Sequence, residues 1–232
     1  MKPTLLTRLL DVVMPRTCAI CGGRLTVGES VICSVCHLHL PMTGHEQSPL
    51  DNPLARLFWG QFPIERAAAF FYFEPHAAPS RIIYDMKYHD HPEIAHDMGM
   101  LAARHFAPSG FFDGIEAIIP LPITRKRQWQ RGYNQSSEIA RGVSSVTGIP
   151  ILKNVVRRTK FSQSQTTQRG QERLKNVEDA FLLTDPQRIA GRHILLIDDI
   201  VTTGATVIAC GRELSKATGV SISVMSLGLT KT

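Results

Sequence analysis

The chain reads as an α/β protein built on a parallel sheet, and three observations predict this. Two near-continuous apolar runs, RHILLID (192–198) and VSISVMSLG (220–228), have the pattern of strands buried on both faces. Between them, residues 204–217 keep a helical apolar spacing and end near Gly219, so strand, helix and strand make a βαβ unit. The length of 232 residues, with 43% apolar and 20% charged, allows one sizeable core and a small appendage.

Taken in order, the elements begin with MKPTLLTRLLDVVMPRTC. Leu5, Leu6, Leu9, Leu10 and Val13 fall on one face of a short amphipathic helix. Arg8 and Asp11 interrupt the apolar core that a secretory leader requires. No apolar run approaches the ~20 residues that span a bilayer. These features read as a cytoplasmic protein without a membrane span.

Cys18-Ala-Ile-Cys21 and Cys33-Ser-Val-Cys36 follow as two C-x-x-C knuckles. Each knuckle turns two thiolates toward one point, and two knuckles complete a tetrahedral sulfur site suited to structural Zn²⁺. Gly22, Gly23 and Gly28 supply the turns. Disulfides and a redox dithiol are the alternatives. A cytoplasmic chain argues against the first, and the lack of a βαβ pattern around either doublet argues against the second. His37 and His39 flank the last cysteine but are superfluous to a closed four-thiolate site. Only Arg16 and Arg24 lie near, so the ribbon reads as a staple or docking surface rather than a nucleic-acid reader.

Residues 41–63 are rich in Pro and Gly and read as a linker with a short helical piece. RAAAFFYF (66–73) is a buried strand. A helix starts at Ser80 and carries Ile82, Ile83 and Met86. A second starts at Pro92, with Ile94, Met98, Leu101 and Ala102 on one face. GIEAIIPLP (114–122) is a strand halted by prolines. NQSSEIARGVSSVTG (134–148) is a helix, with Ile139, Val143 and Val146 inward, Asn134 as its cap and Gly148 as its stop. Cys210 shares a helical face with Val207, Leu214 and Ala217 and reads as a core residue. The domain reading is therefore 1–42 for the helix and ribbon, 43–79 for the linker and first strand, and 80–232 for the main domain.

The net charge of +6 is unevenly placed. Residues 122–178 hold twelve Lys or Arg against three Glu, a net +9, so the remainder is −3. A block of this kind fits a polyanionic partner, either nucleic acid or a phosphorylated small molecule, and fits a solvated basic surface equally well.

The stretch ILLIDDIVTTGAT (194–206) is the most informative. A buried strand runs into two adjacent carboxylates, Asp198 and Asp199, and then into Thr202, Thr203, Gly204, Ala205 and Thr206. In parallel sheets ligands sit beyond the carboxyl ends of the strands. The helix starting near Gly204 offers free N–H groups and a positive dipole end to a phosphate. The carboxylates suit sugar hydroxyls, or Mg²⁺ through water. Together they describe a site for a ribose 5-phosphate. An ATPase Walker B strand would need a phosphate loop upstream. The nearest match, Gly23-Arg-Leu-Thr-Val-Gly28-Glu29-Ser30, has Glu at the lysine position and lies inside the ribbon. A pair that merely caps a helix is the plainer alternative, but one Asp would suffice for that.

ILLIDDIVTTGAT resembles, along its whole length, the thirteen-residue phosphoribosyl pyrophosphate (PRPP) motif of type I phosphoribosyltransferases. IIPLPITRKRQWQRGYNQSSEIA (118–140), YDMKYHD (84–90), RRTKFSQSQTTQRGQERLKNVEDAF (157–181) and the ribbon together resemble ComF-type competence proteins. The resemblance implies a type I phosphoribosyltransferase-like parallel sheet flanked by helices, with a small N-terminal zinc ribbon. It implies that Asp198 and Asp199 hold the ribose hydroxyls of PRPP, with Mg²⁺, and that Thr202 to Thr206 hold its 5-phosphate. The loop after the 115–122 strand would be the pyrophosphate loop, with Arg125 and Arg131 as its arginines, whose planar forks suit phosphate. Residues 157–173 would be the loop that closes over PRPP, with Gln165, Arg169 and Arg173 as its candidates. Lys87 is implied by the resemblance, whereas its own surroundings read as a surface lysine. The same resemblance implies a role in natural transformation, handling single-stranded DNA with a helicase-like competence ATPase. Three functional readings follow: a phosphoribosyltransferase of unspecified acceptor, a non-catalytic single-stranded-DNA module that uses Trp129, Tyr133 and Phe161 for stacking, and a PRPP-sensing regulator.

Overall fold

The computed structural model describes residues 15–88, 91–159 and 180–231. Its main sheet has four strands: β1 (Ile64–Phe73), β2 (Ala117–Pro120), β5 (His193–Val201) and β6 (Ser221–Thr230). Their order is β1-β6-β5-β2, and every neighbouring pair is parallel. The apolar runs explain the order, because β5 and β6 occupy the centre and are covered on both sides. Side chains alternate between two apolar layers. Leu195, Ile197, Met225 and Leu227 face one layer, while Ile194, Leu196, Ile222 and Val224 face the other.

The first layer holds α3 (Ser80–Tyr88), α4 (Pro92–Phe106) and α6 (Gln135–Thr147). It also takes in the apolar residues of the ribbon, among them Ile20, Leu25, Val31, Ile32 and Leu40, so the ribbon shares the core beneath β1. Helices α4 and α6 cross with their backbones in contact. A Cβ on Gly99 would strike the Ile139 carbonyl, and one on Gly142 would strike the His96 carbonyl. The second layer holds α7 (Ala205–Leu214), the 53–62 segment and a two-stranded antiparallel ribbon of β3 (Val156–Arg158) and β4 (Phe181–Leu183). Two short helices complete the set used here, α1 (Ser34–Leu38) and α2 (Pro53–Arg56). Among the described residues, no helix is long and apolar enough to cross a membrane.

Most expected elements are present, with informative differences at their ends. The 114–122 strand shortens to 117–120, since the ladder stops at Pro120. Strand β5 runs through Val201, three residues past Asp198, because β6 continues beside it to pair with Ile200 and Val201. The helix expected over 204–217 ends at Leu214. Asn134 and Gly148 flank α6 as expected: the Asn134 side chain accepts from the Ser136 N–H, and Gly148 sits at φ 75°. Where the sequence led us to expect a loop after β2, the chain forms α5 (Arg125–Arg131), which is capped by Thr124 and buries none of its residues. A helix with no buried face carries no apolar period, so pattern reading had nothing to detect. The N-terminal amphipathic helix and the residues Phe161, Gln165, Arg169 and Arg173 lie outside the described residues.

Candidate functional site

Two clusters of acidic side chains stand out. In the first, the ligand atoms of Cys18, Cys21, Cys33 and Cys36 all lie within 4.8 Å of one another. The Cys21 and Cys33 sulfurs are 3.9 Å apart. Four sulfurs at ~2.3 Å from a tetrahedral Zn²⁺ would be about 3.8 Å apart, so the geometry fits that ion. Backbone N–H groups already point at the sulfurs: Gly23 to Cys21 at 3.4 Å, Cys33 to Cys18 at 3.3 Å and Cys36 to Cys33 at 3.4 Å. Such donors stabilise thiolates and fix their direction. The four cysteines could therefore hold a metal such as zinc. His37 and His39 stand outside the group, and the His39 Nδ1 bonds to the Val35 carbonyl at 2.8 Å. Glu29 has a structural role. Its carboxylate accepts from the Ser34 hydroxyl and from the Thr26 and Ser34 N–H groups, which hold its pKa down to about 2.

The second cluster forms where β2 has ended and β5 continues. Asp198 is 9% exposed. It accepts from the Ser136 hydroxyl at 3.3 Å and from the Asp199 N–H at 2.9 Å. Burial is the main cause that pushes its pKa up, to about 8, and the Asp199 charge adds to it; the Asp199 N–H, Lys87 and Ser136 oppose. Asp199 takes its counter-charge from Lys87, whose Nζ lies 3.0 Å from Oδ2. The lysine that sequence physics placed on the surface is therefore part of the site. It is steered there by the end of α3, where the Met86 carbonyl accepts from the Tyr133 hydroxyl at 2.5 Å and from Gln135 Nε2 at 2.9 Å. These two bonds tie α3 to the start of α6, the turn that also presents Ser136.

Immediately downstream, Thr202 and Thr203 are exposed and Gly204 takes the left-handed conformation at φ 76°. Helix α7 starts at Ala205 after a glycine that offers no side-chain cap; the Ala205 N–H makes a long bond to Thr203 Oγ1 at 3.5 Å, and the following N–H groups of the first turn and the Thr206 side chain are placed to meet an anion. Below the turn, a Cβ on Gly204 would meet Phe58 at 3.2 Å and Leu57 at 3.6 Å, so the segment after α2 forms its floor. That contact gives the expected linker a role that its composition did not reveal.

The two arginines of the expected pyrophosphate loop go separate ways. Arg125 is exposed and lines a groove of about 650 Å³ between residues 122–125 and the β3–β4 ribbon. Arg131 donates to Gln135 Oε1 at 2.9 Å and so braces the α3–α6 junction. Sequence reasoning missed Ser136 and Gln135. Both look like ordinary polar positions of an N-terminal helical turn, and only the packing of α6 against β5 for Ser136, and against the end of α3 for Gln135, reveals their partners.

The arrangement defines a phosphoribosyltransferase-type domain, and comparison with known proteins agrees. The phosphoribosyl transferase domain family matches residues 130–227. Competence protein F of Haemophilus influenzae is 30% identical over 225 residues, covering 90% of this chain and 95% of that protein. DNA utilization protein YhgH of Escherichia coli K12 is 26% identical over 224 residues, covering 92% and 97%. A crystal structure of adenine phosphoribosyltransferase from Saccharomyces cerevisiae is similar at 18% identity and a TM-score of 0.33, over 59% of this chain and 68% of that one. The chain belongs to the competence protein F (ComF) family.

Proposed function

We propose that the protein binds PRPP with Mg²⁺ at the Asp198–Thr206 segment, and that it acts in the handling of incoming DNA. The observation that carries the first half is a carboxylate pair, Asp198 buried and Asp199 half-buried, placed one turn before a helix N-terminus that begins on Gly204. Ribose hydroxyls donate and a 5-phosphate accepts, which is the complement of acceptors followed by donors along this segment. Asp198 and Asp199 would accept from the ribose hydroxyls, while the α7 N–H groups and the hydroxyls of Thr202, Thr203 and Thr206 would donate to the phosphate. Two hard carboxylates fit Mg²⁺ through water. When bound, Mg²⁺ would offset the charge of the pyrophosphate leaving C1. Ser136 and Lys87 hold the carboxylates in place, and Lys87 screens Asp199 in the free protein. For the ribbon we propose Zn²⁺ as the resident metal, held by Cys18, Cys21, Cys33 and Cys36 in a structural role.

The DNA half rests on the names of the relatives, a competence protein and a DNA utilization protein. One observation gives it a surface. Trp129 is 86% exposed on α5, among Arg125, Lys126, Arg127 and Arg131 and with no acidic residue on the helix. An exposed indole on a basic helix suits stacking on a single-stranded base with phosphate contacts beside it.

The test is calorimetric titration of PRPP with Mg²⁺ on the zinc-loaded wild type and on Asp198→Asn/Asp199→Asn. Binding that disappears in the double variant supports the site and justifies a screen for acceptors by pyrophosphate release. Absence of binding in the wild type overturns it and leaves DNA handling as the first reading. A salt-steep affinity for single strands, lost in Trp129→Ala, would support that second reading.

A further inference from the structure

The outer edge of the sheet carries a second cleft. Strand β2 is an end strand, with β5 and its carboxylates on the opposite edge. Residues 150–152 prolong the sheet on the free side. There the Ile118 N–H bonds to the Pro150 carbonyl at 2.8 Å, and the Leu152 N–H to the Ile118 carbonyl at 2.9 Å. The next outward-facing residue of β2 is Pro120, which has no N–H to offer, and the pairing stops. Between the parted chains and the start of α6 lies a cleft of about 390 Å³.

Its walls hold a base-reading and a phosphate-reading group. Tyr133 gives an aromatic surface, and the ring is fixed because its hydroxyl bonds to the Met86 carbonyl at 2.5 Å. Asn154 comes from the other chain segment, in the left-handed region at φ 60°. It is pinned in that pose. The Asn154 carbonyl accepts from the Thr184 hydroxyl at 2.6 Å, and the Lys153 carbonyl accepts from Arg188 at 2.9 Å. The position thus carries an amide where glycine would be less strained. The side chains of Gln128, Lys153 and Asn154 engage no partner among the described residues. Glu138 is the one acid among the described residues of the lining, and Arg141 takes it at 2.7 Å, which leaves Lys153 uncompensated. A flat π face, an amide that both donates and accepts, and a free cation suit a base and its phosphate.

We propose that this cleft binds one nucleotide, with the base on Tyr133, its edge against the amides of Asn154 and Gln128, and the phosphate on Lys153. The site is separate from the Asp198–Thr206 segment and does not rest on the PRPP reading. Two sources share this chemistry, a free nucleotide and one residue of a single strand. Pro122, Gln128, Asn154 and Val156 also line the groove beside Arg125, so a strand seated here continues toward the basic helix α5.

The experiment titrates deoxyadenosine 3′-monophosphate and a deoxyadenosine hexanucleotide into wild type, Lys153→Glu, Asn154→Gly and Trp129→Ala. The 3′-phosphate probe lacks the 5-phosphate that the Thr202–Thr206 turn would hold. Thermal melts establish folding, and Asn154→Gly should melt no lower than wild type, since glycine accepts the left-handed pose. Both cleft variants should weaken binding tenfold or more. Ribose 5-phosphate, titrated with Mg²⁺ as the probe of the other site, should change less than twofold. A hexanucleotide that binds at least tenfold tighter than the mononucleotide, and weakens in Trp129→Ala as well, identifies the strand as the source. Equal affinities identify the free nucleotide. Wild type that binds neither probe overturns the site. So does a loss confined to Lys153→Glu, because charge acting at range would explain it. Strand binding lost in Trp129→Ala but untouched in both cleft variants overturns the cleft and leaves the α5 reading standing.

Discussion

The cysteine cluster and the carboxylate pair each concentrate acidic groups, yet they are organised in opposite ways. The cysteines are organised locally: two C-x-x-C turns supply the ligands, and N–H groups within three residues of Cys21 and Cys33, together with one donor to Cys18, aim the sulfurs. The carboxylates are organised by distant chain segments. Ser136 comes from α6 and Lys87 from α3, and only the sheet brings them to β5. The site assembled by local turns brings four sulfurs together that could share one metal ion. A site assembled by tertiary contacts has part of its compensation built in, and the remainder appears as a raised pKa on Asp198.

The largest effect that would break this comparison is loss of a cysteine. Cys33→Ser should abolish stoichiometric metal and lower the melting temperature by more than about 10 °C, since metal binding in such sites is folding free energy. Elemental analysis and thermal melts check it. Retained metal with an unchanged melt would show that Cys33 is not a ligand the ion requires.

Neutralising the other cluster should do the reverse. Asp198 is an acid whose folded pKa, about 8, lies above its ordinary value of 3.8. Its native form therefore binds a proton that the unfolded chain releases, and stability falls as pH rises from about 4 to about 8. Asp198→Asn should stabilise the ligand-free protein at pH 8, and clearly less at pH 4.5, where the native carboxyl already keeps its proton. Urea unfolding at the two pH values measures it. Destabilisation at pH 8 would mean that Lys87 already compensates the pair in full.

Gly204→Ala should cost about 2 kcal/mol, because an L side chain at φ 76° is strained and its Cβ meets Phe58 at 3.2 Å. It should also weaken ribose 5-phosphate binding, which calorimetry reads directly. The smallest effect belongs to His37→Ala/His39→Ala, which should change stability by less than about 0.5 kcal/mol and leave metal content unaltered. Loss of metal in that variant would place a histidine among the ligands.

The contrast also explains what could be read in advance. The C-x-x-C spacing, the βαβ pattern and the caps Asn134 and Gly148 are short-range features, and each stands where the pattern put it. Helix α5 was illegible because it buries no side chain, so no apolar period marks it. The floor that Leu57 and Phe58 lay beneath Gly204 was illegible for a different reason: its partners are far apart in the chain. Arg131 shows the limit of reading charge from composition, since its fork is taken up by Gln135 four residues on.

By itself the sequence determined the class of fold, the four cysteines that cluster and could hold a metal, and the segment that carries the carboxylates, because all three depend on residues close together along the chain. Only the tertiary structure decided which cations and hydroxyls meet that segment. Lys87 and Ser136 are ordinary residues in their own neighbourhoods. They meet the carboxylates because the parallel sheet, with helices packed on one face and the β3–β4 ribbon on the other, delivers two distant turns to the end of β5.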